Sequence, residues 1–408
     1  MDRTRIGIVT ACTVGNIVSM TPAVHSVFGL FLIPLSTSFG WPRAAISGVL
    51  GLIAVMSALV LPIAGRYADR HGVRGVVLFG NALLALSIAL LALTDGSLVR
   101  FYLTFALIAV AGSLPSSPLL SKIVSEWFDR RRGAMLGISA GLGNALGAIL
   151  LPIAAAVMMG TLGWRGTYVG IAAIVLAVGF PTMFLLLREA PRGEAVAEAE
   201  RAVRGEGLTL RQAARVPTFW LLIVAIASGG GCLTAIFSHV VPILAERHID
   251  VATATAVISV FALVTAAWQI TLGAALDRLP QARLIAPLYL VAVGGIAVCA
   301  TATDRTALLA GGALLGIGLG TQYGALPYFV ARYFGLRSFG TILGVMYSAV
   351  TLAQGATPVL LDHGFDVEGS YHTALVGVGL CLTLGAVLLL FLPAYREAPP
   401  PAMSPAAA

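Results

Sequence analysis

Twelve long apolar runs decide most of what this 408-residue chain can become. They cover 6–36, 45–65, 74–94, 98–124, 134–158, 165–187, 218–244, 252–275, 283–302, 306–330, 338–361 and 371–393. Each approaches or exceeds the roughly 20 residues that a helix needs to cross a bilayer core. A soluble reading fails on charge. Only 11% of the residues are Asp, Glu, Lys or Arg, against about 25% in a soluble domain. That is too little charge to coat a wetted surface, so the surface faces lipid. The 46 glycines fit the same environment, because small residues let membrane helices approach closely. The expectation is an all-α integral membrane protein with twelve transmembrane helices.

The longest polar stretch, rich in Arg and Glu, divides six runs from six. The reading is an N-terminal six-helix bundle over 1–187, a linker over 188–217, a C-terminal bundle over 218–393 and a disordered tail over 394–408. Arg211 to Phe219 is read as an amphipathic lead into the seventh helix. If the N-terminus is cytoplasmic, all but five of the 25 Lys and Arg lie on the cytoplasmic side; the exceptions are Arg43, Arg100, Arg165, Arg247 and Arg305. This bias satisfies the positive-inside rule and supports an even helix count with both termini inside. The net charge of +7 is spread in short clusters between apolar runs, which is a topology signal and not a nucleic-acid surface. Met1 to Arg5 leads straight into an apolar run, so no cleaved leader is expected. Cys12, Cys232, Cys299 and Cys381 all sit in apolar segments, which argues against a disulfide framework or a zinc site.

The two halves echo each other. The second run ends in Gly65-Arg66-Tyr67-Ala68-Asp69-Arg70-His71-Gly72-Val73-Arg74, and the eighth in Gly273-Ala274-Ala275-Leu276-Asp277-Arg278. Trp127-Phe128 and Pro152 return as Tyr333-Phe334 and Pro358. Duplication of this kind gives two pseudo-symmetric six-helix bundles with a binding site between them. Gly65 permits close helix contact. Asp69 can accept charge-assisted hydrogen bonds at a neighbouring helix end. Gly72 allows a tight turn, and Arg70 and Arg74 suit anionic headgroups. Asp277 and Arg278 repeat the arrangement. An ordinary positive-inside loop would need none of this spacing.

The pattern Gly65-x-x-x-Asp69-Arg70-x-Gly72-x-Arg74 resembles the signature loop of the major facilitator superfamily. Three further pieces narrow the likeness: Phe39-Gly40-Trp41-Pro42-Arg43-Ala44-Ala45-Ile46-Ser47, Tyr333-Phe334-Gly335-Leu336-Arg337-Ser338-Phe339-Gly340, and Phe365-Asp366-x-x-Gly369-Ser370-Tyr371. Together these look like the bacterial monocarboxylate porter and oxalate/formate exchanger branch. The resemblance implies secondary transport of a small carboxylate by alternating access, often with protons, through a gate built on Gly65, Asp69, Arg70, Gly72, Arg74, Asp277 and Arg278. It also implies a bacterial inner membrane. The chain departs from that branch at its charged positions. Thr265 and Gln269 stand where the porters carry an Asp and an Arg one turn apart, and Gln322 and Gly324 replace two acidic residues. No Asp or Glu is expected at mid-membrane.

The candidate substrate groups are therefore mostly neutral. His25 titrates near neutrality and suits a proton or a carboxylate; the alternative is an interfacial histidine turned outward. Lys122, the lysine of this chain, lies inside an apolar run, where a cation usually faces a cavity; the alternative is snorkelling to the cytoplasmic surface. His239 precedes Val240-Val241-Pro242 near the outer end of its run and suits gating or binding. Asn144, Thr265, Gln269, Gln322, Tyr323, Tyr347 and Gln354 are polar groups that need partners in lipid, either in a central cavity or between helices. Gly133, Gly137 and Gly141 recur at four-residue spacing and read as packing. No phosphate-cradling loop, catalytic cluster or metal-ligand set is present in the sequence, so neither an enzyme nor a cofactor is expected. The expected partners are a small molecule, protons and lipid, and the expected state is a monomer. A rival reading is an exporter or facilitator of an uncharged or amphipathic compound.

Overall fold

Helices alone build the described chain, because a segment in lipid must satisfy every backbone polar group internally. The computed structural model describes residues 3–128, 131–189, 207–278 and 282–393, leaving aside the side chains at 43, 44, 251, 282, 323 and 324. The expected tail over 394–408 and most of the expected linker fall outside these residues. The first six helices are α1 (Arg3–Phe39), α2 (Arg43–His71), α3 (Arg74–Leu93), α4 (Leu98–Trp127), α5 (132–162) and α6 (164–186). The second six are α7 (Pro217–Glu246), α8 (Val251–Arg278), α9 (Ile285–Thr301), α10 (Arg305–Phe334), α11 (Phe339–Glu368) and α12 (His372–Leu390).

All twelve expected runs are helical, and several of the helices run on past the ends that hydropathy alone draws. Helix α2 continues to His71, α8 to Arg278 and α11 to Glu368, because a helix keeps its hydrogen bonds after it leaves the hydrocarbon. The boundary between α5 and α6 is a single glycine. Gly163 takes φ +65°, a left-handed conformation that glycine adopts without steric cost. The chain turns back there, so that Gly170 packs on Met158. The lead into α7 differs from expectation. It is one turn, Leu210–Ala213, with a capping box between Thr209 and Gln212. Pro217 then starts α7 afresh, since proline suits a first helical turn but cannot donate within one.

Large apolar side chains such as Leu59, Ile63, Phe79, Leu263 and Leu380 point outward as a sheath for lipid. Inside, one buried apolar cluster holds the second bundle together with the ends of α1, α2, α3 and α4 nearest the linker. A separate cluster fills the opposite half of the first bundle, including the stacked pair Phe31 and Tyr168. The two bundles thus share a core on the linker side and not on the far side. Three π-turns, Thr21–His25, Gly137–Leu142 and Val175–Gly179, lie within the first bundle. Such turns loosen a helix locally and concentrate at functional sites.

Candidate functional site: two latches and a polar belt

The linker-side closure follows from two carboxylates placed at two helix starts. The first N–H groups of a helix have no intrahelical partner and carry the positive end of its dipole. Asp69, at the end of α2, accepts from the Gly340 N–H (3.0 Å), the Thr341 N–H (2.9 Å) and the Thr341 hydroxyl (2.7 Å) at the start of α11. Asp277, at the end of α8, accepts from the Gly133 N–H (2.8 Å) and the Ala134 N–H (2.9 Å) at the start of α5. Each latch therefore joins one bundle to the other.

Glycine makes the latches reachable. A Cβ on Gly65 would overlap the Gly340 carbonyl, and Gly133 and Gly273 stand in the same relation to each other. Further along the seams, a Cβ on Gly344 would lie 2.6 Å from the Leu61 carbonyl oxygen, and one on Gly137 2.6 Å from that of Gln269. The Ser348 hydroxyl donates to the Ala58 carbonyl at 2.5 Å. The glycine spacing at 133, 137 and 141 is packing, and it packs across the bundle interface.

Lys122 belongs to the first latch. Its Nζ donates to Asp69 Oδ1 (2.6 Å) and to the Ala68 carbonyl (3.3 Å), with Glu126 3.9 Å away. Both side chains of the pair are buried, at 6% and 9% exposure. This departs from the expected role of Lys122 as a cation facing substrate. A lysine one helical run from the surface found a carboxylate on the neighbouring helix, and that pairing offsets its desolvation. The second bundle has Tyr328 at the matching place, its hydroxyl donating to the Leu276 carbonyl at 2.8 Å. The two latches are thus alike in backbone geometry, with a lysine at one and a tyrosine at the matching place of the other.

The rest of the signature loop serves the first bundle. The Glu189 carboxylate accepts from the Arg74 N–H at 3.0 Å, and the Arg74 guanidinium donates to the Phe184 carbonyl at 2.8 Å over the Phe184 ring. Gly72, at φ +90°, leaves room for Glu189. Arg74 is therefore held by α6 and its end, whereas Arg70 and Arg278 are exposed.

Beyond the seams lies a belt of polar groups. In the first bundle, Asn16, Ser19, Ser117 and Asn144 form one network across α1, α4 and α5. Asn144 donates to Ser117 (3.1 Å) and Asn16 (3.3 Å), and Ser117 donates to Asn16. Thr21, His25 and Gly29 share an exposed face of α1 at four-residue spacing, with open space beside Gly29. A polar stripe on a membrane helix calls for water, not lipid. In the second bundle, Gln322 donates to the Ile226 carbonyl at 3.0 Å while its Oε1 is buried without a partner. Gln354 donates to Thr234 at 3.2 Å. Thr265 bonds within its own helix, to the Phe261 carbonyl at 2.8 Å. Gln269 packs on Gly141 across the bundle interface. Tyr347 is half-buried on α11; the Tyr323 side chain lies outside the described residues.

Sequence reasoning missed several of these groups. Asp362 was placed outside its helix by the hydropathy boundary, yet α11 carries it, and its Oδ1 lies 2.9 Å from His239 Nε2. Asn16 and Ser117 are single small polar residues in apolar runs, and nothing local marks them as partners. Thr341 carries no pattern of its own.

Two six-helix bundles, closed against each other at one end and each carrying buried polar networks, define a membrane transporter of the two-bundle class. The profile of the Major Facilitator Superfamily matches residues 14–358 and 240–406, and the chain belongs to that superfamily. Its members are transporters and not enzymes. Among relatives, the uncharacterized MFS-type transporter YhjX of Escherichia coli is 25% identical over 82% of this chain and 83% of its own length. Monocarboxylate transporter 11 of Mus musculus is 26% identical over 84% of this chain and 78% of its own length. The oxalate:formate antiporter of Oxalobacter formigenes is 26% identical over 53% of this chain and 51% of its own. In fold, the chain resembles the E. coli fucose:proton symporter FucP (TM-score 0.73, 14% identity, 96% of this chain and 100% of that one). It also resembles the human organic anion transporter MFSD10 (TM-score 0.70, 17% identity, 95% and 100%).

Proposed function

We propose that this chain is a secondary transporter that moves a small organic acid, a monocarboxylate-like anion, by alternating access between its bundles. The observation that carries the reading is the pair of Asp latches. They close one end through separable helix-end contacts, with an unsealed polar belt beyond. Breaking both latches and rocking the bundles would open the linker side, which we assign as the cytoplasmic side of a bacterial inner membrane from the basic-residue bias. Gly65, Asp69 and Asp277 serve this gate, Lys122 serves it too by neutralising Asp69, and Gly72 and Arg74 brace the first bundle beside it. The units are 1–187 and 218–393, joined through 188–217, and one chain holds both walls of the site, so it acts as a monomer.

Support for a carboxylate comes from the relatives named for monocarboxylates and for oxalate and formate. With Lys122 engaged by Asp69, His25 on the exposed face of α1 is the titratable group we assign to the substrate. Asn144, Gln322, Tyr347 and Gln354 supply neutral hydrogen bonds from the belt. The engagement of Lys122 also favours a second reading, an exporter or facilitator of an uncharged or amphipathic compound. Uptake of a panel of labelled carboxylates into proteoliposomes, with and without a pH gradient, separates the two. Accumulation of one carboxylate that His25→Ala abolishes supports the first. No carboxylate uptake above protein-free liposomes gives the lead to the second.

A further inference from the structure

Both ends of the linker are fixed beside the Asp69 latch. At its start, the Trp127 indole at the end of α4 donates to the Arg188 carbonyl at 2.9 Å, and the Glu189 carboxylate accepts from the Arg74 N–H just beyond Asp69. The end of α12 carries a matching brace, with Tyr333 donating to the Pro393 carbonyl (2.8 Å) and Arg283 to that of Leu392 (3.3 Å). This part therefore belongs to the repeat. The contact at the other end is made by the linker itself, of which the chain has one. There the Leu208 N–H donates to the carbonyl of Phe334, the last residue of α10, at 2.8 Å.

The last four carbonyls of a helix have no partner within it. Leu208 satisfies one of them from outside, and so fixes where α10 stops. Beside it, buried Gly207 lies on the main chain of Arg337. A Cβ on Gly207 would stand 2.7 Å from the Arg337 Cβ and 2.9 Å from its nitrogen. Only Ser338 and Phe339 separate Arg337 from Gly340 and Thr341, the donors to Asp69. The linker end thus grips the α10–α11 turn at Phe334 and at Arg337, directly before the latch.

The grip is itself anchored. Ala213 is fully buried in the core that also holds Phe219, Phe334 and Phe339, and the Phe219 ring stands edge-on to that of Phe334 at 6.0 Å. The capping box of Thr209 and Gln212 sets the chain direction after Leu208. The Trp220 indole of α7 donates back to the Ala214 carbonyl at 2.9 Å. All these contacts lie within the second bundle, so parting the bundles breaks none of them. A contact made in both states adds nothing to the latch bonds themselves. It lowers the cost of closing instead. A free α10–α11 turn would lose conformational entropy each time its donors met Asp69, whereas a turn already held is ordered in advance.

We propose that the linker end, Gly207 to Thr209, is the positioning element of the Asp69 latch. By capping α10 and seating on Arg337, it presents the Gly340 and Thr341 donors to Asp69 and sets how readily the linker side closes. The proposal rests on the gate reading and not on the identity of the substrate.

The test uses the full chain, cysteine-free apart from Ser348→Cys in the α2–α11 seam, in inside-out vesicles. N-ethylmaleimide alkylates that thiol when the linker side opens. Leu208→Pro removes the N–H and leaves the Phe334 carbonyl unmatched, so alkylation should speed by on the order of tenfold. Gly207→Val forces a side chain against Arg337 and should also speed it. Leu208→Ala keeps the N–H and should stay within about threefold of the parent. A defect of general structure would act apart from Asp69, whereas a positioning defect acts through it. Adding Leu208→Pro to Asp69→Asn should therefore change its rate by less than about threefold, measured beside Asp69→Asn with Asp277→Asn, which sets the ceiling of the assay. A further increase of about tenfold in that double variant overturns the proposal. So does Leu208→Ala as fast as Leu208→Pro. Parent-like alkylation in Leu208→Pro and Gly207→Val, with Asp69→Asn accelerated, removes the linker end and leaves the gate standing. No acceleration by Asp69→Asn itself brings down the latch and this proposal together.

Discussion

Replacing Asp69 by Asn tests the charged latch with almost no change of shape. The carboxylate holds three donors of α11 and the buried Lys122. An amide keeps one acceptor oxygen, but its NH2 faces donors, and Lys122 is left beside Glu126 at 3.9 Å. Removing one partner of a buried ion pair costs about 3–5 kcal/mol; the residual attraction of Glu126 argues for the lower end, about 3 kcal/mol. At about 1.4 kcal/mol per factor of ten, the closed linker side should lose population by on the order of a hundredfold. Ser348, 9% exposed within the α2–α11 seam, reports that population. With Ser348→Cys in a cysteine-free background, N-ethylmaleimide in inside-out vesicles should alkylate the Asp69→Asn protein on the order of a hundredfold faster than its parent. Adding Lys122→Met should recover about tenfold, because the orphaned charge then disappears. Equal alkylation rates with and without Asp69→Asn would refute the latch. No recovery on adding Lys122→Met would remove the lysine from it.

The same seam gives a steric prediction: Gly65→Val should stop the linker side from closing, because even its Cβ overlaps the Gly340 carbonyl, and the Ser348→Cys reporter should alkylate fast regardless of Asp69. Tyr328 stands at the second latch where Lys122 stands at the first, so Asp277→Asn, which strands no lysine, should speed alkylation less than Asp69→Asn; an equal or larger effect would contradict the role given to Lys122. Impermeant thiol reagents should label single cysteines within 190–210 from the cytoplasm and at Asp304 from outside, and labelling of both from one side would overturn the topology.

The helices were legible because hydropathy acts locally. A bilayer imposes the same length on every crossing, so twelve runs predict twelve helices, and the repeated Asp69 and Asp277 predict where the bundles meet. What stayed hidden is pairing. Lys122 reads as a cavity cation until Asp69 is seen on the adjoining helix. Asp362 reads as a loop residue because polar side chains end a hydropathy window before they end a helix. The belt residue Asn144 was visible as a buried amide, whereas its partners Asn16 and Ser117 come from runs far apart in sequence, which only packing brings together.

The glycine contacts between the bundles bear on insulation. A coupled transporter loses its gradient if protons or ions leak past the closed end. At Gly65 with Gly340, and at Gly133 with Gly273, main chain lies directly on main chain. No side chain there can swing aside, and the gap is smaller than the space one water molecule requires. A file of hydrogen-bonded water, the usual route for stray protons, has no room to form along those seams. The glycines that let the helices meet also make the closed end a dielectric barrier, so the far-side polar belt can stay wet without short-circuiting the membrane.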